Sequence, residues 1–150
     1  MDAGGSDRKV SAVIDGTAVY SEEVIWFPKT NEDPTYHNNG ILSSTKKAAS
    51  YMPRVDAIGV SSAGIYIHNR IMAASLFLSV DKEIFRTNVK KMYIDIAAKI
   101  GDVPLAVAND GDVTALAGAM ISTQAMCWVS PWAPAKPVDM LTGTCISWAG

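Results

Sequence analysis

The stretch Val103 to Met120, VPLAVANDGDVTALAGAM, joins a short apolar run, a polar turn and an apolar pattern of helical spacing. The run Leu105–Ala108 is typical of a strand, and the polar residues Asn109–Asp112 follow it directly. In open α/β sheets, ligands bind where a strand ends and a helix begins, because backbone N–H groups and the helix dipole point outward there. The competing interpretation is an ordinary loop, in which Gly111 turns the chain and Asp112 caps the helix.

The composition predicts one globular domain, or a piece of a larger one. Of the 150 residues, 49% are hydrophobic and 19% are charged, which is not typical of a disordered chain. The net charge of -2 offers no basic face, so we expect no nucleic-acid partner. Cys127 and Cys145 match no zinc spacing and no disulfide framework, which favours a reducing, cytoplasmic setting.

The sequence predicts neither a secretory leader nor a membrane span. Met1 is followed at once by charged residues rather than by an apolar run. The uncharged stretch Val113–Ala135 contains Pro131, Pro134 and several hydroxyl side chains, so we interpret it as a buried helix followed by a strand.

The N-terminal part of the chain predicts a β-meander. Lys9–Ile14 reads as a strand, Asp15-Gly16 is a hairpin turn signal, and Thr17–Phe27 supplies one or two more strands. Pro28–Gly40 is rich in turn-forming residues and predicts an exposed loop, in which His37 should lie at the surface.

The rest of the chain alternates strand and helix patterns, although periodicity leaves Ile65–Val80 unassigned. The segments predict, in order, a helix at Ile41–Met52, a doubly buried strand at Val55–Val60, a long helix at Ser79–Gly101, and strands at Ala125–Val129 and Asp139–Trp148. This order favours a largely parallel, layered sheet.

Three segments together resemble the ROK family of sugar kinases and regulators, within the actin-like ATPase superfamily. They are Asp2-Ala3-Gly4-Gly5-Ser6, the strand end Ile58–Gly64 and the strand end Val107–Asp112. The resemblance implies a ribonuclease H-like α/β lobe, in which a β-meander precedes β-α units in a mixed sheet. It implies an N-terminal lobe at residues 1–124 and the start of a second lobe at residues 125–150.

The resemblance also implies a site and its ligands. It implies ATP and Mg²⁺ as cofactors, a small sugar as substrate, and a possible homodimer. Asp110 would remove the proton from the attacking sugar hydroxyl and Asp2 would orient Mg²⁺ through water, with a cation at Arg8 or Lys9. The remaining implied ligands are Gly4, Gly5, Ser6 and Thr144 for phosphate, and Asn109, Ser62 and Gly64 for the sugar.

The chain departs from the family pattern in three places. Gly111-Asp112 stands where the family has Ala-Asn, and Gly143-Thr144-Cys145 is the nearest match to its second phosphate loop. Only Met1 precedes Asp2, so we expect the central first strand to be lacking and the chain to aggregate or pair with another copy. We also expect these 150 residues alone to turn over no substrate, because two lobes must close around ATP.

Two other functions remain open at this stage. The departures favour a non-catalytic sugar-sensing or assembly module that retains the lobe but not catalysis. The third interpretation is an α/β domain whose glycine turns are only turns, and it predicts no saturable ligand.

Overall fold

The computed structural model describes residues 1–121, and the chain divides after Asp110 into two units, of which the first holds most of this part. The strands are β1 (Asp2–Ala3), β2 (Asp7–Ile14), β3 (Thr17–Ile25), β4 (Ile58–Ser62), β5 (Gly64–Ile67), β6 (Arg70–Ala74) and β7 (Leu105–Asn109). The helices are α1 (Pro34–Ala49), α2 (Lys82–Ile84), α3 (Met92–Ile100) and α4 (Asp110–Ile121). The strands predicted at 125–129 and 139–148, and Thr144, lie outside the described residues.

Five of the strands in this part form one mixed sheet in the order β3-β2-β1-β4-β7. The pairs β3–β2 and β2–β1 are antiparallel, whereas β1–β4 and β4–β7 are parallel. The α/β class and the mixed sheet are therefore confirmed. The expectation of a largely parallel sheet is wrong, because the N-terminal hairpin contributes an antiparallel half.

The predicted hairpin is confirmed at its turn. Asp15 and Gly16 both adopt positive φ, at 50° and 78°, between β2 and β3. Two left-handed residues give a hairpin the twist that its strands require, and Asp-Gly tolerates this conformation better than most residue pairs.

The centre of the sheet is occupied, although by only two residues. Asp2 and Ala3 pair with β2 on one side and with β4 on the other. Met1 extends the ladder, since its nitrogen donates to the Gly59 carbonyl at 2.7 Å and its carbonyl accepts from the Ser61 amide at 2.8 Å. The expectation of a lacking central strand is corrected here to a very short central strand.

Helix α1 begins earlier than predicted, and His37 lies inside it rather than in an exposed loop. Asp33 caps the helix by accepting from the Thr35 amide at 2.8 Å, and Pro34 occupies the first helical position. The prediction of a surface His37 is wrong, because its side chain is completely buried. Its ring nitrogens lie 3.0 Å from the Asp33 carbonyl oxygen, 2.9 Å from that of Pro28 and 3.1 Å from that of Leu76.

The long helix predicted at Ser79–Gly101 is broken. A π-helical turn at Phe85–Val89 separates α2 from α3, and the Lys90 amide donates to the Phe85 carbonyl, five residues back. The Lys90 carbonyl accepts from the Ile71 amide of β6 at 3.0 Å. In a continuous helix, this carbonyl would accept from an amide four residues further along the helix. The predicted end is confirmed, because Gly101 adopts a φ of 147° there.

The two long helices of the first unit cover the same face of the sheet. Helix α1 packs on β2 and β3, α3 packs on β7, and the two helices contact each other. Within residues 1–121, Val60 and Ser62 of β4 are buried whereas Gly59, on the opposite face, is exposed, so the predicted burial of this strand on both faces is wrong. The principal core residues are Ala3, Trp26, Ile41, Val60, Ile71, Leu76, Phe77, Val80, Val89, Met92, Tyr93 and Ile96.

Replacement of His37 by alanine should lower the free energy of unfolding by about 2 to 4 kcal/mol, because it leaves a cavity and removes partners from buried carbonyl oxygens. Urea denaturation followed by circular dichroism measures this change. Asn39→Ala, at an exposed position of the same helix, is the control and should change stability by less than about 0.5 kcal/mol. Equal stability of the two variants would contradict a structural role for His37.

Candidate active site

Three parallel strands of the sheet end side by side. Ala3 lies opposite Ser62, and Ser62 lies opposite Asn109, so the carboxyl ends of β1, β4 and β7 are level. At the usual spacing between strands, this row spans about 10 Å. The structure therefore brings Asp2, Ser62 and Asn109 to one edge of the sheet, with Asp110 directly after the last strand.

The glycine turn at Gly4–Ser6 starts at this edge and is held by Trp26. The Trp26 amide donates to the Ser6 carbonyl at 3.0 Å, and its indole Nε1 donates to the Gly4 carbonyl at 2.9 Å. The indole itself is buried, and the Arg8 guanidinium lies 5.3 Å from the ring centroid. The turn is thus fixed to the core rather than left as a free loop.

Both glycines of the turn make contacts closer than a side chain allows. A Cβ at Gly4 would lie 2.8 Å from the backbone oxygen of Asp7. A Cβ at Gly5 would lie 2.6 Å from Cε and 2.8 Å from Nζ of Lys29. The ammonium group of Lys29 therefore lies against the turn for which the family resemblance implies phosphate binding.

Lys29 is a further cation at the turn, besides the two that the resemblance implied. The Arg8 Nε donates to the Ser44 hydroxyl of α1 at 2.9 Å, and Lys9 pairs with the Asp7 carboxylate at 3.1 Å. This pairing raises the pKa of Lys9 and lowers that of Asp7. The sequence does not identify Lys29 because Lys29 is far from Gly5 along the chain and approaches it only in the folded structure. The Ser79 hydroxyl holds the Lys29 backbone there by donating to the Lys29 carbonyl.

The residues predicted to bind a sugar also hold the strand ends together. Ser62 is buried, and its hydroxyl donates to the Ala3 carbonyl at 2.8 Å. The Asn109 side-chain amide donates to the Gly64 carbonyl at 2.9 Å. A Cβ at Gly64 would lie 2.6 Å from the Ala73 oxygen. The close approach of β6 therefore leaves room at position 64 only for glycine. These contacts fix the geometry of the edge, whichever ligand it binds.

A pair of tyrosines that sequence reasoning missed lies beside the strand ends. Burial raises the pKa of both Tyr66 and Tyr93; the Asp110 carboxylate raises that of Tyr66 further, and the Asp2 carboxylate does so for Tyr93. The carboxylates of Asp110, the predicted base, and Asp2, the predicted metal ligand, thus lie near one tyrosine pair, whose ring centroids are 6.3 Å apart. The Tyr93 hydroxyl is completely buried and has no hydrogen-bond partner in the described part of the chain.

The described residues provide one carboxylate, rather than a cluster, for a metal at the end of β1. No group of three or more His, Cys, Asp or Glu side chains within residues 1–121 could hold a metal ion. Asp2 could bind Mg²⁺ only in combination with waters and phosphate oxygens, which is a common arrangement for this ion in nucleotide sites. Asp112 lies in the first turn of α4 rather than before it, where its charge suits the helix dipole.

Alanine substitutions should separate the glycines that the fold requires from those that it tolerates. Gly4→Ala should lower the free energy of unfolding by about 1 to 3 kcal/mol, because the new Cβ meets backbone. Gly5→Ala should cost less, since the flexible end of Lys29 can move away. Gly59→Ala is the control, because a Cβ there meets nothing within 4 Å. Thermal denaturation that ranked Gly5→Ala as the most harmful would contradict this account of the turn.

None of the helices within residues 1–121 is long and apolar enough to cross a membrane. Comparison with known proteins gives no assignment, because no protein-family model and no curated protein matches the chain. Any functional assignment therefore depends on the residues of the site itself and on the motifs that form it.

Proposed function

We propose that this chain contains the phosphate- and sugar-binding lobe of a ROK-like, ATP-dependent sugar kinase. The observation that carries the proposal is the level row of strand ends at β1, β4 and β7, with the glycine turn at one end. A β-meander joined through β1 to parallel strands is also the arrangement that the ribonuclease H-like assignment implies.

The glycine turn offers what a phosphate group requires. The backbone of Gly4 and Gly5 carries no side chain that would keep a ligand away, and the Lys29 ammonium supplies positive charge against the turn. Trp26 keeps the turn in one conformation, so little ordering would be needed on binding. Gly4, Gly5, Ser6 and Lys29 are the proposed phosphate ligands.

The opposite end of the row suits a polyhydroxylated substrate. Asn109 and Ser62 place an amide and a hydroxyl group at adjacent strand ends, and the buried Tyr93 hydroxyl lies near Ser62. Buried polar groups without a partner are uncommon in folded proteins, which favours a ligand or a water molecule near Tyr93. Asn109, Ser62 and the Gly64 backbone are the proposed sugar ligands.

In the proposed reaction, Asp110 accepts the proton of one sugar hydroxyl while that oxygen attacks the γ-phosphorus of ATP. The bond from the γ-phosphorus to the bridging oxygen breaks, and ADP leaves. Mg²⁺, oriented by Asp2, would neutralise charge on the phosphate oxygens. Phosphoryl transfer depends mainly on positioning and electrostatics, which rigid strand ends can supply.

Lys29→Met should weaken the binding of MgADP by about tenfold or more, because the variant removes a cation from the turn but retains side-chain length. Isothermal titration calorimetry with MgADP measures this change. Lys9→Met is the matched control, since Lys9 already pairs with Asp7, and it should change affinity less than threefold. Saturable binding of hexoses without any binding of MgADP would instead support the sugar-sensing alternative.

Asp110→Asn should lower sugar-dependent ADP release by about 10²- to 10⁴-fold, because the amide cannot accept the proton. The assay uses a form of the protein that includes a second lobe, because the proposed reaction needs two lobes to close around ATP. Asp112→Asn, two residues further along α4, is the control and should retain activity within about threefold. Equal rates for Asp110→Asn and the unaltered protein would remove Asp110 from the mechanism.

A further inference from the structure

His37 is a completely buried polar side chain to which the proposed reaction assigns no role. Its Nε2 lies 2.9 Å from the carbonyl oxygen of Pro28 and 3.1 Å from that of Leu76. The two carbonyls belong to separate 3-10 helical turns, at Pro28–Thr30 and Ser75–Phe77. One ring nitrogen from α1 therefore lies between two turns that are distant in sequence.

The surroundings of Nε2 indicate that this nitrogen carries a proton. A carbonyl oxygen can only accept a hydrogen bond, so an unprotonated Nε2 would direct its own lone pair at two oxygens. Nδ1 faces one acceptor, the Asp33 carbonyl at 3.0 Å, whereas Nε2 faces two, so Nε2 has the greater need of a proton. Both contacts of Nε2 are buried, and a buried carbonyl without a donor is costly because water cannot replace the lost partner.

The first of the two turns carries Lys29. The Ser79 hydroxyl donates to the Lys29 carbonyl at 2.6 Å, next to the Pro28 carbonyl that accepts from the imidazole. Hydrogen bonds thus hold the backbone of this turn, while the Lys29 side chain is exposed. The Cε and Nζ atoms of this side chain lie 2.6 and 2.8 Å from the position that a Cβ at Gly5 would take.

The glycine turn is connected to the same histidine through Trp26. The indole Nε1 donates to the Gly4 carbonyl at 2.9 Å, and the indole lies edge-on to the His37 ring with the centroids 6.2 Å apart. The Phe77 ring, in the second 3-10 turn, lies 4.9 Å from the imidazole. His37 therefore contacts both the turn that carries Lys29 and the side chain that holds the glycine turn.

We propose that His37 is a positioning residue of the phosphate site, and that the hydrogen bonds from its Nε2 hold the Lys29 ammonium against the glycine turn. A side chain without a donor would leave two carbonyl oxygens facing each other, so the turn that carries Lys29 would move away from Gly5. The effect on phosphate binding rests on the proposed function, whereas the effect on the position of Lys29 does not.

The variants His37→Gln and His37→Met form a matched pair, because both remove the imidazole and their side chains have nearly the same length. The glutamine amide nitrogen can donate one hydrogen to each carbonyl, whereas methionine has no donor. Nuclear magnetic resonance should show a nuclear Overhauser effect between Lys29 Hε and Gly5 Hα in the unaltered chain and in His37→Gln, but not in His37→Met. The same contact in both variants would overturn the proposal.

A measurement on the unaltered chain decides the question even if a variant fails to fold. Long-range ¹H–¹⁵N correlation spectra of the histidine rings should show a proton on Nε2 of His37. An unprotonated Nε2 would overturn the proposal, because this nitrogen could then donate to neither carbonyl.

The consequence for binding is measured by isothermal titration calorimetry with MgADP. His37→Met should weaken binding by about tenfold and His37→Gln by less than about twofold, because only methionine lets the cation move away. In a Lys29→Met background, His37→Met should have no further effect, since His37 acts through Lys29. Additive losses in this double variant would overturn the proposal. Failure of the unaltered chain to bind MgADP would instead contradict the proposed function, and the contact between Lys29 and Gly5 would then decide the role of His37.

Discussion

The pairing of a two-residue strand on both of its sides is the interaction on which the rest of the sheet depends. Asp2 and Ala3 join the antiparallel hairpin to the parallel strands β4 and β7. Met1 adds two backbone hydrogen bonds to β4, and the buried Ser62 hydroxyl adds a third to the Ala3 carbonyl. Each bond contributes about 1 kcal/mol, but together they fix the register that makes the strand ends level.

Trp26 connects this register to the helical layer. Its backbone and indole nitrogens hold the glycine turn, and its ring lies 6.2 Å from that of His37 in α1. The His37 ring in turn lies 4.9 Å from Phe77, so one aromatic cluster joins the turn, α1 and the segment after β6. The conformation of the glycine turn therefore depends on the packing of this buried aromatic cluster.

Short sequence patterns correctly predicted the features that depend on neighbouring residues, such as turns and the points where strands end. Asp15-Gly16 formed its hairpin turn, and the end of β7 at Asn109 led directly into a helix.

Three features of the fold could not be predicted, because they depend on residues that are distant in sequence. The Ile71 amide breaks a helix at Lys90, carbonyl oxygens from Pro28 and Leu76 surround His37, and Lys29 reaches the glycine turn. Of the candidate site, the strand-end residues could be identified from the sequence, whereas Lys29 and the tyrosine pair could be identified only from the structure.

The proposed function requires one edge of the sheet to bind phosphate and sugar at opposite ends. Nuclear magnetic resonance of the ¹⁵N-labelled chain tests it most directly, by titration with MgADP and then with a hexose mixture. We expect MgADP to shift the amide signals of Gly4–Ser6, and a hexose to shift those of Ser62–Gly64 and Asn109. Saturable shifts confined to the distant hairpin turn at Asp15-Gly16, or no saturable shift at any concentration, would contradict it.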